Sequence, residues 1–267
     1  MLTVDDVTFA YAPGAPVLSD VTFHVPKGEV VAIVGRNGAG KSTLLRLLNG
    51  LYQPATGAIV VNGNATSDTP VHLLARSIGT VFQAPEQQIF NAKVVDEIAF
   101  GPKQLGLTGK ALDERVGAVL ERIGLAGEAE THPLDIDASA RRMVAIGSVL
   151  AMQPPVLLLD EAQRGLDKAA IDRLAKIIAD EKARGTTVLL VCHDMDFVAR
   201  NADRVLGLAR GRLAADLSTE GFFTDAALTA AIGVEVPDMV SLSAALGLAP
   251  ALSPERFAAA WMARNEA

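Results

Sequence analysis

The sequence predicts an α/β fold whose mainly parallel sheet is covered by helices on both faces. Three observations lead there. First, EVVAIV (29–34), PVLLLD (155–160) and TTVLLVC (186–192) are apolar at most positions, as strands buried on both faces are. Second, helical patterns separate them, which fits parallel crossovers. Third, each run leads into residues that carry chemistry: a glycine-rich loop from Gly35, the pair Asp160–Glu161, and His193. Functional groups of open α/β sheets gather at these carboxyl ends.

Taken in order, LTVDDVTFAY and VLSDVTFHV alternate like half-buried strands, broken by the turn chemistry of APGAP and PKG. After the glycine-rich loop, Leu44, Leu47, Leu48 and Leu51 recur at helical spacing from Ser42. Residues 57–64 form a short strand closing on Asn62-Gly63, and SIGTVFQ (77–83) is another strand. A helix over about 112–123 presents Val116, Val119, Leu120 and Ile123 and ends at Gly124. A further helix begins near Ser139, with Met143, Ile146, Gly147 and Leu150 on one face, and another runs over about 169–184. VLGLARGRLAAD (205–216) reads as a hairpin turning at Arg210-Gly211. From Leu217 the chain becomes Ala-rich and is broken by Pro and Gly, with a helix start at Ser253-Pro254-Glu255. The expected organisation is a core over 1–217, with an N-terminal antiparallel β part and a helical subdomain at about 84–150. A small helical appendage follows over 218–267.

Composition narrows the function classes. The net charge is −7, no long basic run exists and aromatics are 4%, so the footprint of a nucleic-acid binder is missing. The single cysteine, Cys192, excludes an intramolecular disulfide framework and reads as a buried structural thiol. No apolar run approaches the roughly 18 residues that span a bilayer. MLTVDDVTF lacks the basic start and apolar centre of a signal peptide. The expectation is a protein of the cytoplasm, peripheral to the cell membrane if it works there.

Gly35, Arg36, Asn37, Gly38, Ala39, Gly40, Lys41 and Ser42 match G-x-x-x-x-G-K-[ST] in full, between a strand and a helix, with Thr43 next. The glycines let backbone N–H groups turn around a phosphate, and the helix N-terminus adds partial positive charge. Lys41 supplies a full charge to the β- and γ-phosphates, and Ser42 offers a hydroxyl to Mg²⁺. Asp160 is placed to hold Mg²⁺ through water, Glu161 to polarise an attacking water, and His193 to sense the γ-phosphate. The expected ligands are therefore the phosphates of a nucleotide and Mg²⁺; the resemblance below implies that the nucleotide is ATP.

With VFQ, VLLLDE and GLD in order around these residues, the chain resembles the nucleotide-binding subunits of ABC transporters over roughly residues 1–216. The resemblance implies further roles. Tyr11 stacks on adenine; Gln83 touches Mg²⁺ and the lytic water; Asp167 lies at a dimer interface. QAPEQQIFNAKVVDEIAFGPKQLGL (83–107) and VAIGSVLAMQP (144–154) look like segments of energy-coupling factor (ECF) transporter ATPases, nearest those of cobalt or nickel uptake. That likeness implies an ATP-hydrolysing motor with three kinds of partner. These are a second ATPase subunit, a transmembrane scaffold docking near Gln83–Phe90, and a substrate-specific membrane subunit. It also implies dimerisation through the C-terminal appendage.

One slot departs from the pattern. Where the family carries LSGGQ, this chain has Ile136-Asp137-Ala138-Ser139-Ala140. In the family this motif acts in trans, on the γ-phosphate held by the other subunit. Ala138 and Ser139 add Cβ atoms where backbone approaches closely. Asp137 adds negative charge: at about 5 Å and an effective dielectric of about 20, each like-charge unit costs ~3 kcal/mol. Asp137 is at the same time a well-suited helix N-cap. DEAQRGLD (160–167) stands for the usual DEPTAGLD, and its Arg164 is the cation expected to offset Asp137. The implied alternative is an ATP-binding subunit with little hydrolysis of its own, the asymmetric half of a heterodimer.

Overall fold

The computed structural model describes residues 1–265 of 267. The N-terminal part comprises β1 (Leu2–Ala10), β2 (Pro16–Val25) and β3 (Val30–Val34), then α1 (Lys41–Leu48), β4 (Thr56–Val61) and β5 (Asn64–Ala65). Next come α2 (Val71–Leu74), β6 (Ile78–Val81), α3 (Val94–Gln104), α4 (Gly109–Ile123) and α5 (Ala138–Ala151). The second half continues with β7 (Val156–Asp160), α6 (Lys168–Ala183), β8 (Thr187–Val191), α7 (Met195–Asn201), β9 (Arg204–Ala209) and β10 (Arg212–Ser218). It closes with α8 (Thr219–Thr224), α9 (Ala226–Ile232), α10 (Asp238–Ala245) and α11 (Pro254–Asn265).

Two sheets result. One is antiparallel, in the order β2-β1-β4-β5. The other runs β10-β9-β3-β8-β7-β6, parallel except for the edge strand β10. The uniformly apolar strands are explained by the two cores they divide. Val30, Ala32 and Val34 of β3 face the core built on α3 to α6, while Val31 and Ile33 face the core shared with α1 and the antiparallel sheet. Strand β8 alternates the same way: Val188 and Leu190 on one side, Leu189 and Val191 on the other.

The expected helices and strands are present with shifted ends. Leu51 lies past the end of α1 and is exposed, and β6 stops at Val81, leaving Phe82 and Gln83 outside the strand. Helix α5 is buried beyond the single predicted face, with Val144 and Ala145 also inside, because α3, α4 and the parallel sheet surround it. Helices α2, α3 and α7 were not legible from the pattern. In α3, VVDEIAFGPKQ carries Gly101 and Pro102, which disguise the helical period. Its Gly101 is needed for packing: a Cβ there would come within 2.6 Å of Met152.

The helical segment is joined to the parallel core by a buried charge cluster. Glu181 of α6 is 4% exposed. It accepts from Arg122 of α4 at 2.7 Å, from Arg184 at 3.1 Å and from the Thr186 hydroxyl at 2.9 Å. Removing one partner of such a pair strands the other in low dielectric. Glu181→Ala is therefore expected to lower stability by about 3–5 kcal/mol, whereas the double change Arg122→Met with Glu181→Leu costs far less. Urea denaturation midpoints of the two variants check this.

Candidate functional site

The parallel register sets the site. Asp160, the last residue of β7, pairs with Val191, the last of β8, and β8 pairs with β3 alongside. The loops leaving these three strands therefore open at one end of the sheet.

The loop after β3 needs its glycines for space. Gly35 has φ +146, and a Cβ there would lie 2.2 Å from the Leu208 carbonyl oxygen. Gly40, at φ +105, caps α1, whose first turn holds no acid. The positive end of that helix is thus free for an anion. Lys41 is 6% exposed, and its ammonium donates to the carbonyls of Gly35 at 2.7 Å and Arg36 at 3.1 Å. Burial pushes its pKa below the ordinary lysine value, against the pull of Glu161 and Asp160. Asp160 is pushed above the usual carboxylate range by burial and by neighbouring Glu161, with Arg46 and Lys41 opposing. Both shifts mark charges held away from water, which a cation beside Asp160 and anionic oxygens beside Lys41 would relieve.

Glu161 has φ +52, a left-handed backbone unusual for a side chain of this size. Its N–H donates to the Val191 carbonyl at 2.9 Å, and its own carbonyl accepts from Arg164 N–H at 3.0 Å. One carboxylate oxygen lies 3.3 Å from His193 Nε2 and the other 3.5 Å from the Arg164 guanidinium. A cavity of about 710 Å³ is bordered by Asn37, Gln83, Glu161, Arg164 and His193. A second, of about 370 Å³, is bordered by Ser42, Gln83, Asp160 and Arg46. Gln83 borders both. Hydroxyl, carboxylate and amide oxygens around the second cavity make the hard-oxygen set that suits Mg²⁺.

Tyr11 is 56% exposed, and its hydroxyl shares a 2.9 Å hydrogen bond with that of Thr43. Phe9 and Tyr52 pack around its ring, with centroids 5.1 and 5.6 Å away. Arg36 and Asn37 reach a third cavity, which the α9–α10 turn also lines through Gly233 and Glu235. Gly233 packs against Arg36 so closely that a Cβ would meet its side chain at 2.4 Å.

The slot 136–140 lies apart from these cavities within one chain. Asp137 is exposed and caps α5, accepting from Ala140 N–H at 2.8 Å. Ser139 is turned inward at 9% exposure, its hydroxyl accepting from Asp167 N–H at 3.1 Å. Asp167 in turn caps α6, and the bond from Ala170 N–H holds its carboxyl below the usual range. Arg164, expected to offset Asp137, instead reaches Glu161 within the chain, because the turn 161–164 folds it back.

Sequence reading missed Arg46. It sits one helical turn beyond Ser42, lines the same cavity, and lies over the Tyr52 ring at 5.8 Å. The i, i+4 spacing from Ser42 was the available signal. It also missed Tyr52, for which no sequence signal existed.

Comparison with known proteins agrees with this geometry. The model of the ABC transporter family matches residues 18–164. The energy-coupling factor transporter ATP-binding protein EcfA of Methanothermobacter thermautotrophicus is 34% identical, over 91% of this chain and 78% of that protein. EcfA2 of Symbiobacterium thermophilum is 38% identical over 91% and 86%. Among solved structures, cbiO1 of Clostridium perfringens, part of the ABC transporter complex cbiONQ, superposes with a TM-score of 0.77 at 31% identity. That match covers 84% of this chain and 90% of that one. Sequence motifs, strand-end geometry and these likenesses converge, and the chain belongs to the ABC transporter family as an ATPase subunit of the energy-coupling factor type.

Proposed function

We propose that the chain is the motor of an ECF-type importer and hydrolyses ATP at the cavity shared by Asn37, Gln83, Glu161 and His193. The observation that carries this is Glu161, held at a strand end with His193 against one oxygen and the phosphate loop opposite. Tyr11 offers its ring to adenine. Gly35 to Thr43 wrap the phosphates, and Lys41 exchanges its two carbonyl partners for phosphate oxygens. Ser42, Asp160 and Gln83 hold Mg²⁺, which adds positive charge to the phosphates when bound. Glu161 takes a proton from the attacking water while Gln83 orients it, and His193 donates to the γ-phosphate. Catalysis of this kind rests on positioning and electrostatics.

Exposed surfaces support the reading of its partners. No helix among the described residues is long and apolar enough to cross a membrane. A peripheral position at the cytoplasmic face, beneath a transmembrane scaffold, is supported by the segment after Gln83. Residues Pro85–Gln88 form a 3₁₀ turn, and Phe90 stands 65% exposed in edge contact with Phe100. The loop is fixed by the buried carboxylate of Glu97, which accepts from the backbone N–H groups of Phe90 and Asn91. An adjoining apolar cavity of about 220 Å³ is lined by Leu51, Val71, Phe82 and Met152. In this reading the core spans 1–217, and the appendage 218–267 packs onto it through Phe222, Phe223, Ile232 and Val240. Trp261 and Met262 of α11 are exposed apolar residues suited to dimerisation through the appendage. The cargo is a micronutrient, with cobalt or nickel ion the choice that the resemblance of 83–107 and 144–154 favours. A separate membrane subunit selects it.

A second reading concerns the rate. Asp137 presents a fixed, exposed carboxylate and Ser139 turns its hydroxyl away, so a homodimer carries two poor signature contacts. Paired with a subunit bearing LSGGQ, the chain makes one competent site.

Three outcomes are expected. Glu161→Gln retains ATP binding and loses hydrolysis by about 100-fold or more, while Lys41→Ala loses binding itself; nucleotide titration and phosphate release measure the two. Restoring Asp137→Ser, Ala138→Gly and Ser139→Gly together raises turnover of the purified chain about tenfold or more, up to the ~100-fold that relief of ~3 kcal/mol allows. Phe90→Glu abolishes co-purification with the membrane scaffold while leaving the chain folded by circular dichroism.

A further inference from the structure

The Arg164 contact is left over by the mechanism above. Water activation needs Glu161 to point an oxygen at water, and its orientation is biased by His193 at 3.3 Å from one oxygen and Arg164 at 3.5 Å from the other. Arg164 is 67% exposed along its side chain, so this is a weak, screened ion pair rather than a structural strut. Its position is set from the backbone. The Arg164 carbonyl accepts from the guanidinium of Arg142, on α5. Arg142 also lies 3.5 Å from Glu86 in the 3₁₀ turn Pro85–Gln88. Gly165, at φ +73, lets the chain lie against Arg142; a Cβ there would sit 3.2 Å from the guanidinium carbon.

A second observation places slack in this chain of contacts. The other Glu86 carboxylate oxygen is buried without a hydrogen-bond partner, as is the amide oxygen of Gln88 beside it. Buried acceptors left unpaired are costly, so a small displacement that pairs them is favoured. The turn that carries them is the surface read above as the scaffold's docking site.

We infer that Arg164 is a positioning residue that holds Glu161 away from the attacking water in the resting chain, and that Glu86, through Arg142, holds Arg164 in place. A scaffold that engages Pro85–Phe90 draws Glu86 off Arg142, and Arg164 then releases the carboxylate. The inference rests on Glu161 being the group that activates water. The other titratable groups around Glu161 are His193, Lys41, Asp160 and Asp194. Asp160 shares a cavity with Gln87 and Gln88 of the docking turn, while Arg164 reaches the turn through Arg142 and Glu86.

The test measures steady-state phosphate release by the purified full chain, in the native sequence and with the signature restored. Arg164→Ala is expected to raise kcat about two- to fivefold, the range an exposed ion pair sustains, with KM for ATP unchanged. Arg164→Lys keeps the slow rate, because charge rather than fork geometry makes the single contact. Glu86→Gln raises kcat as well, and combining it with Arg164→Ala adds nothing further. A purely structural Arg164 would lower kcat, or move kcat and KM together, and either result overturns the inference. So does an Arg164→Ala rate equal to its parent in both backgrounds. Glu161→Gln separates the two levels. If it is silent while Arg164→Ala changes nothing, the restraint fails and the water-activating role stands. If it turns over at the native rate, both fall.

Discussion

One backbone hydrogen bond holds the catalytic end of this sheet together: Glu161 N–H to the Val191 carbonyl. Asp160 is still in the ladder, paired with Val191, and Glu161 is the first residue out of it. Just past that bond Glu161 takes a left-handed backbone, uncommon for a side chain of this size, and the chain turns out of the sheet. The surroundings over-determine that conformation through the Arg164 turn and the His193 contact. Because β8 also pairs with β3, the same ladder fixes where the phosphate loop begins. The glycine-rich loop, Asp160 and Glu161 are thus placed by strand register, not by one another.

Burial supplies the electrostatics. The two cores on either face of the parallel sheet leave little water near Lys41 and Asp160, and both groups shift against their charged forms. A lysine and an aspartate in that condition are primed for a ligand that brings opposite charge to each. An anion beside Lys41 and a cation beside Asp160 would each relieve unfavourable solvation.

Much of this was legible in the sequence because it is local. GRNGAGKS names its own turn and helix, and the apolar runs before Asp160 and His193 announce buried strands. Asp137 read correctly as an N-cap, since capping depends on the next three residues alone. What stayed hidden depends on contacts across the fold. Ser139 read only as an added Cβ in the signature slot, because nothing local shows Asp167 N–H reaching its hydroxyl. Arg164 was matched with Asp137 on charge, while the turn behind Glu161 sent it the other way. Helix α3 escaped because Gly101 and Pro102 mimic a loop, although their place is fixed by Met152 and the packing of α5.

Gly233 carries a consequence for how freely this sequence can change. It ends a short helix in the Ala-rich C-terminal segment, where substitutions would be thought tolerable. Yet its left-handed φ favours glycine, and a Cβ there would displace the Arg36 side chain. A mutation there acts at a distance in sequence, on a residue of the phosphate loop. A transplanted C-terminal segment without a glycine at that turn therefore strains its own backbone and moves Arg36 as well.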